Sequence, residues 1–423
     1  MAPRRRVIID TDPGGDDTLA LLLALASSAE ELEILLISVT YGNIPLEGCV
    51  RNVVGLFKVL DLEMKWREEK GLPLGFEALR AFKPLVALGP EHPLEDENLS
   101  FDYFHGIDGL HGVHEAHPHF SPEETWKALF KDDVPSGPAE EQSYHKYFTP
   151  SKLPAHKEIL RILKEEPADT VSICAVGPLT NLALAASEDP ETFLRVKEVC
   201  VMGGAVEIEG NVTPVAEFNT YADAVAAARV FALTSPVPAS TMPMVPNKEF
   251  AALPPYPEKL SRQLNLMLFP LDITTPHEIF QNQFVDKVKP HVDRDSPLAT
   301  WVNTFMSGIF RQIVSMVGPD VIAGLSLHDP LTIWYMLTGD SPQWKLAKGA
   351  PEDIRIETGG QWTHGMCVSD RRDRVRADGK IKEEIQGDEA GWLSSRRRNR
   401  INRFVASPGH DAFAHFLLQR IFG

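Results

Sequence analysis

Val7-Ile8-Ile9-Asp10-Thr11-Asp12-Pro13-Gly14-Gly15-Asp16-Asp17 leads from an apolar, β-branched run through a turn into the Leu/Ala-rich stretch Thr18 to Ala26. The first three residues have the composition of a strand buried on both faces of a parallel sheet, and the stretch after the turn has strong helix propensity. The segment therefore reads as strand, glycine-containing turn, helix. Open α/β sheets bind ligands beyond the carboxyl ends of their strands, where this turn delivers Asp10, Asp12, Asp16 and Asp17. Two carboxylates about 5 Å apart repel by roughly 3 kcal/mol at an effective dielectric near 20, so four together require a cation or a proton. Oxygen donors with no Cys or His nearby suit Ca²⁺ or Mg²⁺ better than zinc. Helix-dipole capping accounts for one such Asp but not for four.

The same alternation continues down the chain. Strand-like runs at Ile34 to Val39, Pro84 to Leu88, Val171 to Val176 and Val199 to Met202 are separated by helical stretches such as Asn181 to Ala186 and Ala222 to Phe231. This pattern predicts an α/β fold: an open, mostly parallel, Rossmann-like sheet with helices on both faces. Three stretches, 121–154, 242–268 and 371–403, are rich in proline or mixed charge and read as surface insertions. The last contains Arg396-Arg397-Arg398-Asn399-Arg400, for which a solvated charged face is a better reading than a targeting signal.

Bulk composition excludes several classes. A formal net charge of -17 argues against nucleic acid or anionic membranes as partners. Cys49, Cys174, Cys200 and Cys367 are widely spaced and form no CxxC pair, so neither a disulfide framework nor a zinc site is expected. With Met-Ala-Pro-Arg-Arg-Arg leading straight into the first strand and no long apolar span, a reduced, cytoplasmic setting is expected. At 423 residues and 43% apolar content the chain can bury the core of one large domain or of two.

Polar or glycine-rich signals follow one strand after another: Asp10 to Asp17, then Thr40-Tyr41-Gly42-Asn43, Gly177-Pro178-Leu179-Thr180-Asn181 and Gly203-Gly204. In a parallel sheet all four converge on one edge. Beyond them, Asn211 and the run Glu217-Phe218-Asn219 offer amides and an acid suited to adjacent sugar hydroxyls, although for either Asn alone a turn or helix-cap role is the better reading. His328-Asp329-Pro330 precedes an apolar helix, so Asp329 reads either as its N-cap or as a metal ligand, and His328 as a proton-transfer group.

Taken together, the Asp10–Asp17 motif, Gly42-Asn43, Val176 to Asn181, Met202-Gly203-Gly204-Ala205, Asn211, Glu217-Phe218-Asn219 and His328-Asp329 resemble, in order and spacing, the inosine/uridine-preferring nucleoside hydrolases. Weaker echoes are His105-Gly106-Ile107-Asp108-Gly109-Leu110 and Thr363-His364-Gly365-Met366 with Asp370-Arg371-Arg372. The resemblance implies a single domain over residues 1–423 and Ca²⁺-dependent release of base and ribose from ribonucleosides. It implies Asp10, Asp12, Asp17, Asp329 and the backbone carbonyl of Val176 as metal ligands, with Asp12 also the general base. It assigns Asp16, Asn43, Asn211, Glu217 and Asn219 to the ribose, with Met202 and Phe218 lining the pocket and His328 facing the base. A homodimer or homotetramer is implied in the same way. Such chemistry passes through a ribosyl cation-like state, which needs an activated water, nearby carboxylates and help for the leaving base. His328 is expected to give that help because histidine titrates near neutral pH. Family members acting on inosine and uridine often carry a Tyr before the His-Asp pair. None occurs here between Tyr256 and His328, leaving Trp301, Phe305 or Phe310 to stack on the base.

A haloacid dehalogenase-type phosphatase also opens with Asp-x-Asp after a strand, but it needs Thr or Val where this chain has Gly14, and Asp16 and Asp17 would be surplus. A catalytically inactive metal-binding or regulatory protein on the same fold is the non-enzymatic alternative. The full complement of candidate ligands and ribose contacts weighs against it.

Overall fold

The computed structural model describes residues 4–94, 103–130, 143–243, 253–372, 374 and 385–423. Its strands, in chain order, are β1 (Arg5–Thr11), β2 (Leu32–Val39), β3 (Leu85–Leu88), β4 (Thr149–Pro150), β5 (Val171–Ala175), β6 (Glu198–Met202) and β7 (Leu266–Phe269). They continue as β8 (Glu278–Phe280), β9 (Gly324–Ser326), β10 (Lys345–Leu346), β11 (Ile354–Ile356), β12 (Cys367–Ser369) and β13 (Ile401–Ala406). Nine of them form one sheet in the order β10-β13-β7-β6-β5-β1-β2-β3-β4. Every pairing in it is parallel except β10 against β13.

The opening segment behaves as its composition dictates. Along β1, Val7 and Ile9 join the hydrophobic cluster on one face of the sheet while Ile8 joins the cluster on the other. Helix Gly15–Leu25 is buried along its whole length, which its unbroken Leu/Ala run permits. Each large apolar side chain taken fully from water contributes about 1.5–3 kcal/mol, so this central strand and helix anchor the turn between them.

Order along the sheet places the site. From β1 the chain proceeds through β2 and β3 to β4 on one side, whereas β5, β6 and β7 build the other. The reversal falls between β1 and β5, the switch point at which doubly wound sheets open a crevice.

Two of the stretches read as insertions return to the sheet at their ends: residues 266–268 open β7, and residues 401–403 open β13. Proline and charge dominated those windows and hid short strands. Arg403 is the clearest case, a buried guanidinium paired with Glu352, Glu207 and Asp272. Stretch 121–154 contributes the edge strand β4; its residues 131–142, together with 244–252, 373 and 375–384 of the other two, lie outside the described residues. The basic run is less solvated than expected. Asn399 is buried and bonded to Asp353 and Ile354, the carbonyl of Arg397 accepts from Arg355, and within the run 396–400 only Arg396 is exposed. All four cysteines are free and buried. Among the described residues no helix is long and apolar enough to cross a membrane.

Candidate active site

Four neighbouring parallel strands end at one place. β6 ends in Met202, β5 is followed by Val176, β1 by Asp12 to Asp17, and β2 by Thr40 to Asn43. Around them lies a cavity of about 280 Å³ whose wall includes Asp16, Asn43, Val176, Met202, Asn211, Glu217, Phe218, Asn219, His328 and Asp329. Residues separated by more than 300 positions therefore meet as the motif order suggested.

Asp16, Asp17 and Asp329 each bring a carboxylate oxygen within 4.8 Å of the others. Asp329 precedes helix Pro330–Thr338, yet its side chain makes no capping bond. Its electrostatic neighbours are Asp16, Asp17 and Asp12, which favours the ligand reading over the cap. Asp17 is held from four sides: Oδ1 accepts from the Thr11 hydroxyl at 2.6 Å and the Asp12 amide at 3.1 Å, and Oδ2 from the Gly14 amide at 3.1 Å and Asn43 Nδ2 at 2.9 Å.

Asp10 and Asp12 stand outside that trio. Asp10 Oδ1 accepts from Ser38 and, at 2.8 Å, from Asn181, while Oδ2 is buried without a hydrogen-bond partner. Asp12 Oδ2 accepts from the Asn43 amide at 2.7 Å, and its Oδ1 is likewise buried and unpartnered. Asp12 is seated by two glycines: a Cβ on Gly42 would lie 1.9 Å from Oδ2, and one on Gly177 would lie 2.5 Å from Oδ1. Gly42→Ala is therefore expected to displace the carboxylate and cut turnover at least tenfold without unfolding the chain, which steady-state rates beside a thermal melt would check.

Burial governs the protonation of the whole cluster. Desolvation raises Asp10 to about 7 and Asp16 to about 6. It also holds Asp12 and Asp329 well above the usual carboxylate range, assisted for Asp12 by Asp17 and Asp16 and for Asp329 by Asp16 and Asp17. Asp17 is raised by desolvation and by Asp16. Buried oxygens without donors, on acids that resist ionisation for want of a counter-charge, are a donor set that fits a hard divalent cation.

On the sugar side, Glu217 is a buried acid whose oxygens accept from the amides of Gly204 (2.7 Å), Asn219 (2.8 Å) and Thr220 (3.0 Å). Asn211 Oδ1 accepts from the Phe218 amide at 2.9 Å, and Asn219 Nδ2 donates to the Val176 carbonyl at 2.8 Å. Asn211 thus braces its loop and Glu217 caps helix Phe218–Ala222, whereas Asn219, inside that helix, serves neither turn nor cap and bonds across to Val176. All three also line the cavity, and a carbonyl such as that of Val176 has a second lone pair.

Two expectations need correction. Trp301, Phe305 and Phe310 are core residues and do not reach the cavity; its apolar wall comes instead from Phe104, Ile313, Met316 and Leu325 beside Phe218. The helix Pro297–Val317 turns its aromatic residues toward the core. His328 does not titrate near neutrality: burial, with His105 and His277 nearby, lowers it to about 4. It stands as a neutral imidazole with Nδ1 2.7 Å from the Thr274 hydroxyl. Sequence reading gave His105 no role beyond a motif echo. Its Nδ1 accepts from the Gly15 amide at 3.0 Å, and its Nε2 lies 3.6 Å from Asp16.

Fold and site define a doubly wound α/β protein with an acidic, metal-competent pocket at its switch point. The family described as inosine-uridine preferring nucleoside hydrolase matches residues 7–391, and the chain belongs to that family. It is 28% identical over 367 residues to an uncharacterized protein of Schizosaccharomyces pombe, covering 86% of this chain and 89% of that one. It is 29% identical over 364 residues to the pyrimidine-specific ribonucleoside hydrolase RihA of Salmonella paratyphi B, covering 86% and 88%. Among solved structures, a plant nucleoside hydrolase superposes with a TM-score of 0.63 at 22% identity over 100% of both chains. A purine-preferring ribonucleoside hydrolase from Gardnerella vaginalis superposes with a TM-score of 0.65 at 20% identity over 99% of this chain and 98% of its own. The protein is accordingly an enzyme of the ribonucleoside N-ribohydrolase class, and its family is metal-dependent.

Proposed function

We propose that the enzyme hydrolyses the N-glycosidic bond of ribonucleosides in a Ca²⁺-dependent reaction, releasing free base and ribose. The observation that carries this reading is the pair of buried, unpartnered oxygens on Asp10 and Asp12, set beside the Asp16, Asp17 and Asp329 trio at the floor of an amide-lined cavity. Asp10, Asp12, Asp17, Asp329 and the Val176 carbonyl would hold the cation. When bound, Ca²⁺ supplies the positive charge that keeps these acids ionised and acidifies a neighbouring water.

The chain's own groups do the rest. Asp12, its Oδ2 already engaged by Asn43, turns its free Oδ1 to a water and accepts a proton from it. The water oxygen bonds to the anomeric carbon as the bond to the base nitrogen breaks, and that electron pair leaves with the base. Asp16, Asn43, Asn211, Glu217 and Asn219 hold the ribose hydroxyls, and the negative charge of the two acids, Asp16 and Glu217, favours the cationic sugar of the transition state. Met202 and Phe218 wall the sugar, and His328 presents a ring nitrogen to the departing base. Assembly into a homodimer or homotetramer and a cytoplasmic location belong to the same reading, the first checked by light scattering and the second by fractionation.

The relatives include pyrimidine-specific and purine-preferring enzymes, so the test spans both. Ribose release would be measured from inosine, uridine, cytidine, adenosine and nicotinamide riboside, with Ca²⁺ and with chelator. Release from at least one, abolished by chelation, is expected; no release from any sinks the proposal, and phosphate release from a nucleotide would point to phosphatase chemistry instead. His328→Ala is expected to slow natural nucleosides by about 10²- to 10⁴-fold and p-nitrophenyl riboside, whose phenolate leaves unaided, by much less. Equal losses would remove His328 from leaving-group assistance.

A further inference from the structure

We propose that Thr274 is a positioning residue for the reaction: its hydroxyl locks the imidazole of His328 in the tautomer that presents Nε2–H to the leaving base. This rests on the nucleoside hydrolase reading of the pocket, but its central measurement does not require turnover.

Thr274 ends the one-turn helix Leu271–Thr274 and is fully buried. Its Oγ1 lies 2.7 Å from His328 Nδ1. Among the described residues this is the one hydrogen bond that the hydroxyl makes. A neutral imidazole carries a single N–H, and either partner of such a contact could be the donor. If Nδ1–H were the donor, the hydroxyl proton of Thr274 would be buried with no acceptor, at a cost of about 1–3 kcal/mol. The hydroxyl therefore donates to Nδ1, and the ring proton resides on Nε2, the nitrogen left for the cavity that His328 lines.

Both halves of the contact are fixed through the backbone. The Leu271 amide donates to the Gly204 carbonyl at 2.8 Å, and the Asp272 carboxylate accepts from the amides of Val206 and Glu207 at 2.9 Å each. Buried Arg403 adds a contact to Asp272 at 3.4 Å. On the other side, the buried His277 bonds through Nδ1 to the Ile273 carbonyl at 2.7 Å, and its own carbonyl accepts from the Leu327 amide at 2.7 Å. A closed circuit of bonds thus runs from Thr274 through residue 277 to the residue before His328. The same short helix is tied to the loop after β6 that leads to Asn211, so the groups facing sugar and base are held in one frame.

Two-bond ¹H–¹⁵N imidazole spectra of metal-free protein, with the His328 signals assigned by their loss in His328→Gln, read the tautomer directly. Wild type and Thr274→Ser are expected to show Nε2–H, and Thr274→Val a shift toward Nδ1–H or a mixture. Nδ1–H in wild type, or no change in Thr274→Val, overturns the proposal. In kinetics, Thr274→Val should lower kcat on inosine or uridine about 10- to 100-fold, the range known for partners that orient metal-bound histidines. Thr274→Ser should recover most of it, and the valine change should add nothing in a His328→Ala background. Full additivity of the two losses would assign Thr274 a structural role instead. If wild type hydrolyses no nucleoside, the functional reading fails while the tautomer spectra still decide the role of Thr274.

Discussion

Asp12→Ala is expected to lower kcat on every accepted nucleoside, and on p-nitrophenyl riboside, by about 10³-fold or more, toward the upper part of the range for losing a positioned general base. Unlike His328, Asp12 acts on the water, so an activated leaving group gives no relief. The size of the effect follows from how completely its place is built: Oδ2 fixed by the Asn43 amide, Oδ1 free, and Gly42 and Gly177 open to van der Waals approach. Loss of fold would not account for such a result. Removing a carboxylate that repels Asp17, Asp16 and Asp10 relieves the metal-free site, so the melting temperature without Ca²⁺ should hold or rise. Asp12→Asn keeps the shape and should lose nearly as much activity, because an amide cannot accept the water's proton. A kcat within tenfold of wild type in either variant would remove Asp12 from the base role.

The first motif is legible in the sequence for a local reason. β1, the turn and the helix after it form one contiguous run in which period, turn chemistry and charge all agree, and the parallel strand order carries Asn43, Val176 and Met202 to the same edge. Where sequence reading failed, the cause was a long-range partner. β13 looked like a charged surface because Arg403 is neutralised by Glu352, Glu207 and Asp272, from distant segments. Asp16 could not be told from a pure ribose ligand until its oxygen was seen with those of Asp17 and Asp329. The base-facing wall was misplaced because a helical stretch with aromatic residues does not disclose which face meets the core, and Phe104 lay in a segment with no periodic signal. Thr274 carries no motif-level mark, and its contact to His328 spans 54 positions.

Metal removal should produce the second large effect, and its pH dependence has a definite sign. Asp10 and Asp16 have folded-state values of about 7 and about 6 against an ordinary value of 3.8, and Asp12 and Asp329 are raised further. In metal-free protein the native state therefore binds more protons than the unfolded chain. This contribution to stability is complete below about pH 4 and is lost as pH rises through 6 to 7 and beyond. Buried His114, His277 and His328, lowered to about 4 from 6.5, act in the opposite direction, but they lose stability only as pH falls below about 6.5. His111, His117, His156 and His291 are lowered too, and all these effects fade as unfolded histidine loses its proton above pH 6.5. From pH 7 to 8 the carboxylates outweigh them, so chelated enzyme should melt at progressively lower temperature across that window. Calcium reverses the trend, because bound cation holds the acids ionised and binds more tightly as they lose their protons. At a thousandfold excess over Kd the stabilisation is about 4 kcal/mol, and the gap between loaded and chelated melts should widen from pH 7 to 8. Asp12→Asn, with one fewer acid in the cluster, should flatten the chelated slope. Melts that are flat from pH 7 to 8 without metal, or indifferent to Ca²⁺ at pH 8, would show that the cluster is satisfied by protons or internal donors and holds no cation.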